Sequence, residues 1–322
     1  MIEEPLVSII TPAYNVERFI EETVSSVIKQ TFSSWEMIIA DDGSTDKTVR
    51  IASKIASSDS RVNVFRFPHS GLPAISRNNG LSHARGRFIA FLDADDLWEP
   101  QKLDLQIASL ERNKLSWGFT NAKRFGTARP YSCDLIFPEG WRPPKPFMPK
   151  LLAGNGIPCL TVIINNTLLQ KISLKGDTCK AFDESVELRG VEDWDLALRL
   201  SNVSEPDYLP EALARYRVHG GGITGAIEKR YESSLALLEK YRRNGVSKHL
   251  IRQAENFHLS KISINRMYEG TKKWRNTLII SCLSLPLSPR NIYLMALALM
   301  PKSVAREMYK WGLQKLHDFH SE

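Results

Sequence analysis

Residues Arg87 to Pro100, RFIAFLDADDLWEP, carry an apolar run that ends in three carboxylates, Asp93, Asp95 and Asp96. Phe88, Ile89, Ala90, Phe91 and Leu92 read as a buried strand, so the acidic cluster sits at its carboxyl end, where open α/β sheets bind ligands. Like charges crowded there call for a cation. A hard divalent ion, Mn²⁺ or Mg²⁺, carrying a substrate diphosphate would neutralise them. Taken alone, the same residues also read as an Asp-rich turn that caps the next helix.

Four further segments carry reactive side chains. Asp42, in DDGSTD at 41–46, would accept a hydrogen bond from a base N–H, with the backbone around Pro12 and Tyr14 holding a base or ribose; plain turn residues before Gly43 need no such ligand. Arg77, in SRNNG, would bind a phosphate or pair with one of the aspartates, against the alternative of a surface arginine. Glu192 and Asp193 start an apolar-faced helix, a place that also suits simple complementation of the helix dipole. His219 precedes Gly220, Gly221 and Gly222, which reads as a loop able to close over a diphosphate with a ligand at its root.

The elements that position these residues alternate. Val7–Thr11, Trp35–Ala40, Arg61–Phe67 and Arg87–Leu92 read as strands. Between them lie helices after Asn15, over Asp46–Ala56 with Asp46 or Ser44 as cap, and over Pro73–Ala84. That order predicts a mostly parallel sheet covered on both faces, with the loops after the first, second and fourth strands converging on one cleft. Residues 129–149, rich in Pro and aromatic side chains, predict an irregular loop or lid. Cys159–Asn165 reads as a further strand, Val191–Leu200 as a helix, and the chain beyond Gly225 as helical.

At 322 residues, 43% apolar and 25% charged, the chain has the composition of a globular protein with one main domain and an appendage. Cys133, Cys159, Cys179 and Cys282 form no CxxC pair, and nothing at the start resembles a signal peptide, so a reducing cytoplasmic setting is expected. Residues 226–322 hold 17 Lys and Arg against 8 Asp and Glu, a net +9 within a chain total of +7. The basic character therefore belongs to the tail.

With those residues assembled, residues 5 to 225 closely resemble the family 2 glycosyltransferases of the GT-A fold, inverting enzymes of bacterial polysaccharide synthesis. The likeness rests on VSIITPAYN at 7–15, DDGSTD at 41–46, SRNNGL at 76–81, DADD at 93–96, FDE at 182–184, ED at 192–193 and YRVH at 216–219. It implies an α/β fold with a single Rossmann-like, mostly parallel sheet flanked by helices. A catalytic domain would span 1–225, with a nucleotide-binding half to about 100 and an acceptor half beyond it, followed by a basic helical region over 226–322. By the same resemblance Thr11, Pro12, Tyr14, Asp42, Arg77 and Asp93 would bind the donor nucleotide, and Asp95 of the DxD motif and His219 would hold Mn²⁺ or Mg²⁺. Asp193 would be the catalytic base, with Glu192, Asp96 and Trp194 contacting the acceptor or supporting the site. Ser76, where Ala is usual, and Pro158-Cys159, where small hydroxyl residues are common, depart from the pattern.

The implied activity is metal-dependent inverting transfer of a hexosyl or N-acetylhexosaminyl group, with UDP-sugars the commonest donors, to a glycan or lipid-linked hydroxyl. Two apolar runs in the tail, Thr277–Leu287 and Ile292–Met300, fall short of the roughly 20 residues of a spanning helix. Surrounded by basic groups, they suit either an anionic membrane surface, on the cytoplasmic side, or packing on a catalytic core. Two other readings share some of these features. A metal-dependent nucleotidyltransferase would need the acidic strand end but not the ED helix. A non-catalytic membrane or nucleic-acid binder would need only the tail, which lacks the aromatic platform of a nucleic-acid protein.

Overall fold

The structure, a computed structural model, describes residues 4–126, 134–154, 156–174, 180–219, 227–269, 274–284 and 289–309. Its first part follows the expected alternation: β1 (Val7–Ala13), α1 (Ile20–Ile28), β2 (Trp35–Asp41), α2 (Thr48–Ala56), β3 (Val62–Arg66), α3 (Pro73–Leu81) and β4 (Phe88–Phe91). Then come β5 (Leu97–Trp98), α4 (Lys102–Asn113), β6 (Trp117–Gly126), α5 (Met148–Leu152), β7 (Ile163–Asn165), α6 (Asn166–Ile172), α7 (Glu192–Ser201) and β8 (Asp207–Val218). These strands form one sheet in the order β3-β2-β1-β4-β7-β6-β8-β5.

Neighbours are parallel from β3 through β4 and again between β6 and β8, and antiparallel at β4–β7, β7–β6 and β8–β5. Every residue of β2 is buried, and Ile9 and Ile10 of β1 are both sealed, as a strand covered on two faces requires. Ile20, Val24 and Val27 recur at helical spacing and bury the apolar stripe of α1 in the core with Ile9 and Ile39. On the opposite face a Cβ at Gly80 would come within 2.7 Å of Ile10 Cγ2, so glycine lets α3 lie against β1.

Three local differences from the expected pattern have physical causes. The apolar run at 159–165 splits, because Pro158 leads into a 3₁₀ turn over Cys159–Thr161 and only Ile163–Asn165 pairs, with β4. α2 starts at Thr48 rather than 46: Asp46 Oδ1 accepts the Thr48 N–H at 2.9 Å, while Ser44 Oγ is turned to the Asn15 N–H. The described part of the 129–149 stretch is irregular but tied down. Asn121 holds the Phe137 N–H and C=O, and Phe137, Trp141 and Phe147 gather with Phe119 and Tyr208 in an aromatic cluster.

By its internal contacts the chain divides into two compact units, Met1–Leu151 with Asn155–Gly225, and Leu152–Gly154 with Ala226–Glu322. The second holds α8 (Ile227–Arg243), α9 (Lys248–Glu269), α10 (Trp274–Ser284) and α11 (Pro289–Leu299), with Met267, Trp274, Leu278, Leu294 and Leu297 in its core. No described helix is long and apolar enough to cross a membrane. Cys159 and Cys282 are buried, whereas Cys133 and Cys179 lie outside the described residues.

Lys102, at the start of α4, is entirely buried, with Nζ donating to Gln106 Oε1 at 2.8 Å and lying 4.3 Å from the Trp98 ring centroid. Burial pushes its ammonium down to about 7. An unfolded lysine keeps its proton to about pH 10.4. Between those values the unfolded chain binds a proton that the native one lacks, and stability from this group rises with pH. Urea unfolding of Lys102→Met at pH 7 and pH 9 should therefore show a smaller gain in stability with pH than the parent.

Candidate active site

The loops after β1 and β2 are laced together by the side chains of the DDGSTD segment. Asn15, in the left-handed region at φ 50°, accepts the Thr45 N–H with its Oδ1 at 2.9 Å; Thr48 Oγ1 accepts the Val16 N–H and Asp46 Oδ2 the Glu17 N–H. Asp42, almost fully buried, accepts the Ser70 N–H and hydroxyl with Oδ1 and the Gly71 N–H with Oδ2, which also lies 3.0 Å from His69 Nδ1. Gly43 turns at φ 75°, where a Cβ would meet His69 N at 3.0 Å. His69 in turn stacks on Tyr14 with ring centroids 4.2 Å apart. The product is an exposed aromatic ledge over a rigid, hydrogen-bonded floor.

The second corner forms at the end of β4. The short β5 pairs antiparallel with β8, which draws the Asp93–Asp96 turn against the residues before Gly220. Arg217 donates its N–H to Asp96 Oδ1 and its Nε to the Asp95 C=O, and its Nη2 reaches Glu22 Oε2. His219 Nε2 lies 2.8 Å from Asp95 Oδ2. Burial, with Asp93 adding repulsion, pushes Asp95 up against the opposing pull of His219. Burial, then Asp95 and Asp93, pushes the more deeply placed Asp96 well above the ordinary carboxyl range.

Arg77 joins this corner to α7. Its Nη2 donates to Asp93 Oδ1 at 2.7 Å and its Nη1 to Glu192 Oε1 at 2.8 Å. Asn78 beside it donates to the Phe182 C=O and Glu184 Oε1, and accepts the Phe182 N–H, so the FDE segment is strapped to α3. Asp193 stands in the first turn of α7 and lines a small cavity with Phe91, Trp117 and Cys159. Burial pushes the Cys159 thiol well up, leaving it a protonated wall.

Asp93, Asp95, Arg77, Glu192, Asp193 and His219 are thus brought to one sheet edge, with Tyr14 and Asp42 in the adjoining loops and Pro12 paired with Ala40 near the end of β1. Thr11 is not: it is sealed in β1, paired in register with Ile39, and its Oγ1 has no hydrogen-bond partner. Asp42 is satisfied by the 69–71 loop, so its first role is to hold that loop. Asp96 serves the Arg217 backbone, and the buried Trp194 donates Nε1 to the Leu151 C=O, anchoring α7. The glycines at 220–222 lie outside the described residues. Sequence reasoning passed over Asn78, His69, Ser70 and Arg217. The one signal was their adjacency to Arg77, to the glycine before α3 and to His219.

The model of the glycosyl transferase family 2 matches residues 8–182, more than half of the chain. The chain belongs to glycosyltransferase family 2. Among its relatives of that family, the Escherichia coli UDP-Glc:alpha-D-GlcNAc-diphosphoundecaprenol beta-1,3-glucosyltransferase WfgD is 38% identical over 172 residues, 53% of this chain and 65% of that one. The chain thus spans less than two thirds of that curated relative's length. In fold it is similar to S. aureus TarS 1-349, solved in complex with UDP-GlcNAc: TM-score 0.63 at 21% identity, over 95% of this chain and 92% of that one. The mannosyltransferase PcManGT from Pyrobaculum calidifontis, solved with GDP-Man and Mn²⁺, aligns with TM-score 0.56 at 17% identity over 95% and 87% of the two chains. A GT-A fold is therefore shared with this family 2 chain.

Asn78 makes the strap testable. Asn78→Ala would leave the buried Phe182 N–H and C=O without their partner, at a cost of about 1 to 3 kcal/mol. Denaturant unfolding should show that loss, whereas the neighbouring Asn79→Ala should stay within about 0.5 kcal/mol.

Proposed function

We propose that the chain is a metal-dependent inverting glycosyltransferase of cell-surface polysaccharide synthesis. It moves a hexosyl or N-acetylhexosaminyl group from a UDP-sugar to a hydroxyl of a glycan or lipid-linked acceptor. Residues 1–225 are its catalytic unit, and 226–322 an appended helical region. The observation that carries this reading is the arrangement at the end of β4. There Asp95 meets His219, while Asp93 is joined through Arg77 to the turn that presents Asp193.

A carboxylate and an imidazole suit a divalent ion of the Mn²⁺ or Mg²⁺ type, and the surrounding acidic groups favour a cation there. Among the described residues no group of three or more metal-ligating side chains converges. Asp95 and His219 would thus hold the ion with diphosphate oxygens completing its shell, the usual sharing at nucleotide sites. When bound, the ion neutralises the departing diphosphate. UDP-GlcNAc on TarS and GDP-Man with Mn²⁺ on PcManGT support a nucleotide-sugar donor. The ledge of Tyr14 and His69 offers a base a stacking face.

Asp193 accepts the proton of the acceptor hydroxyl as that oxygen attacks the anomeric carbon from the face opposite the leaving group. One displacement with inversion results, and no enzyme nucleophile is needed. The buried neighbours Cys159 and Phe91 keep the Asp193 side of the site apolar.

The second unit is read as resting on an anionic lipid surface at the inner face of the cytoplasmic membrane. Ile292 and Leu299, seven residues apart on α11 and 59% and 79% exposed, are supported by the net +9 of residues 226–322. The lipid-linked acceptor in WfgD's name accords with that placement.

Release of nucleoside diphosphate from a panel of sugar nucleotides with Mn²⁺ or Mg²⁺ tests the reading. Asp193→Asn should keep donor binding and lose on the order of 10²- to 10⁴-fold in turnover. Asp95→Ala should lose the metal dependence. Release of pyrophosphate instead would identify a nucleotidyltransferase, and absence of any nucleotide binding would leave a non-catalytic binder.

A further inference from the structure

The resemblance to family 2 enzymes assigns Arg77 to the donor nucleotide, but its surroundings point elsewhere. The side chain is 6% exposed, and each of its two terminal nitrogens donates to a carboxylate, one to Asp93 Oδ1 and one to Glu192 Oε1. Its remaining nitrogen, Nε, is buried without a partner among the described residues. The guanidinium also lies 5.3 Å from the Phe182 ring centroid, beneath the FDE strap. To reach a diphosphate it would have to abandon the half-buried Asp93 and the enclosed Glu192, leaving the buried carboxylate uncompensated.

Glu192 is equally enclosed, at 6% side-chain exposure, and both its oxygens are used. Oε1 accepts from Arg77, and Oε2 accepts the Gly190 N–H at 2.6 Å, in the turn that enters α7 with Gly190 at φ 80°. The carboxylate of Glu192 therefore sets where α7 begins and how its first turn is rotated. Asp193 is the next residue in that turn. Elsewhere on the helix, Trp194 is fixed to the Leu151 C=O, and Arg199, paired with the sealed Asp195 one turn back, donates to the Ile172 and Ala181 carbonyls. On the Arg77 side, the link from Glu192 through the guanidinium to Asp93 does the holding.

We propose that Arg77 is a positioning residue, a strut from the end of β4 to α7 that fixes the Asp193 carboxylate, and not a ligand of the donor diphosphate. This rests on the glycosyltransferase reading, and it places the dependence on Arg77 in turnover rather than in donor affinity. A fork donor is needed because two carboxylates on different elements must be held at once, which a lysine's point charge does poorly.

The test compares the parent chain with Arg77→Gln, Arg77→Lys and the double variant Arg77→Gln/Glu192→Gln, which removes the buried charge along with its partner and guards against a simple folding failure. UDP binding is measured by calorimetry with Mn²⁺, with GDP as a second probe. Amide hydrogen exchange is read over residues 190–195, and kcat on the active donor. The strut predicts UDP affinity within about threefold of the parent for all variants, faster exchange at 190–195, and a kcat loss on the order of 10²-fold, the scale of a misplaced catalytic group. Arg77→Lys should recover part of the loss, and Glu192→Gln should add little once Arg77 is gone, because the pair acts as a unit. A tenfold or greater loss of UDP affinity in Arg77→Gln with unchanged exchange at 190–195 would overturn the proposal in favour of a phosphate ligand. A parent chain that turns over no sugar nucleotide would sink the glycosyltransferase reading instead, and the exchange data would still decide whether the strut exists.

Discussion

A buried arginine between two carboxylates governs the geometry of this molecule's working edge. Asp93 ends a strand, Glu192 begins a helix more than ninety residues later, and Arg77 comes from the helix that crosses to that strand. Each of the three would be costly to bury alone. Together they define a spacing that neither backbone element dictates. Burial by itself would weaken the guanidinium's hold on its proton, yet Asp93 and Glu192 outweigh it and push the pKa well up, so the strut remains charged throughout any working range. Constraint of this kind adds little net stability and much precision, which is what proton transfer over hydrogen-bond distance needs.

The edge carries more negative charge than Arg77 can offset. Asp95 and Asp96 both stand within electrostatic reach of Asp93: burial and Asp93 push Asp95 upward, and burial, Asp95 and Asp93 push Asp96 upward. A sheet edge built this way stores an unfavourable field that a bound cation relieves. The fold supports that field with ordinary parts: a two-residue strand that pairs antiparallel with β8, an arginine that satisfies the turn, and an imidazole delivered at the strand's end.

The loops after β1 and β2 show the opposite arrangement, since motif residues there serve the scaffold before any ligand. Asn15, Asp42, Ser44, Asp46 and Thr48 spend their polar atoms joining one loop to the next. Short polar side chains suit this task, because they satisfy backbone N–H groups that no strand or helix can pair. What remains outward is the stacked pair of Tyr14 and His69.

The sequence by itself determined the alternation of β1 to β4 with their helices, because apolar runs bounded by turn residues recur with clear strand and helix periods. It also placed Asp42, Asp93 and Asp95 at one edge, because strands of a parallel sheet end on the same side, whereas Arg77, Asp193 and His219 joined them only through the family resemblance. It did not show β6, whose polar Thr120, Asn121 and Lys123 blur the alternation, nor β8, which bears charges along an exposed edge. Only the tertiary structure decided what each side chain touches. Arg77 reads from sequence as a phosphate ligand or a partner of aspartate, and Trp194 as a contact for the acceptor or a support for the site. Burial and hydrogen-bond partners bear on such choices, and those partners come from far away in the chain: Glu192 for Arg77, Leu151 for Trp194, Ser70 and Gly71 for Asp42. Local pattern carries the period of an element, whereas the partner of a buried charge is fixed by the packing of elements against one another.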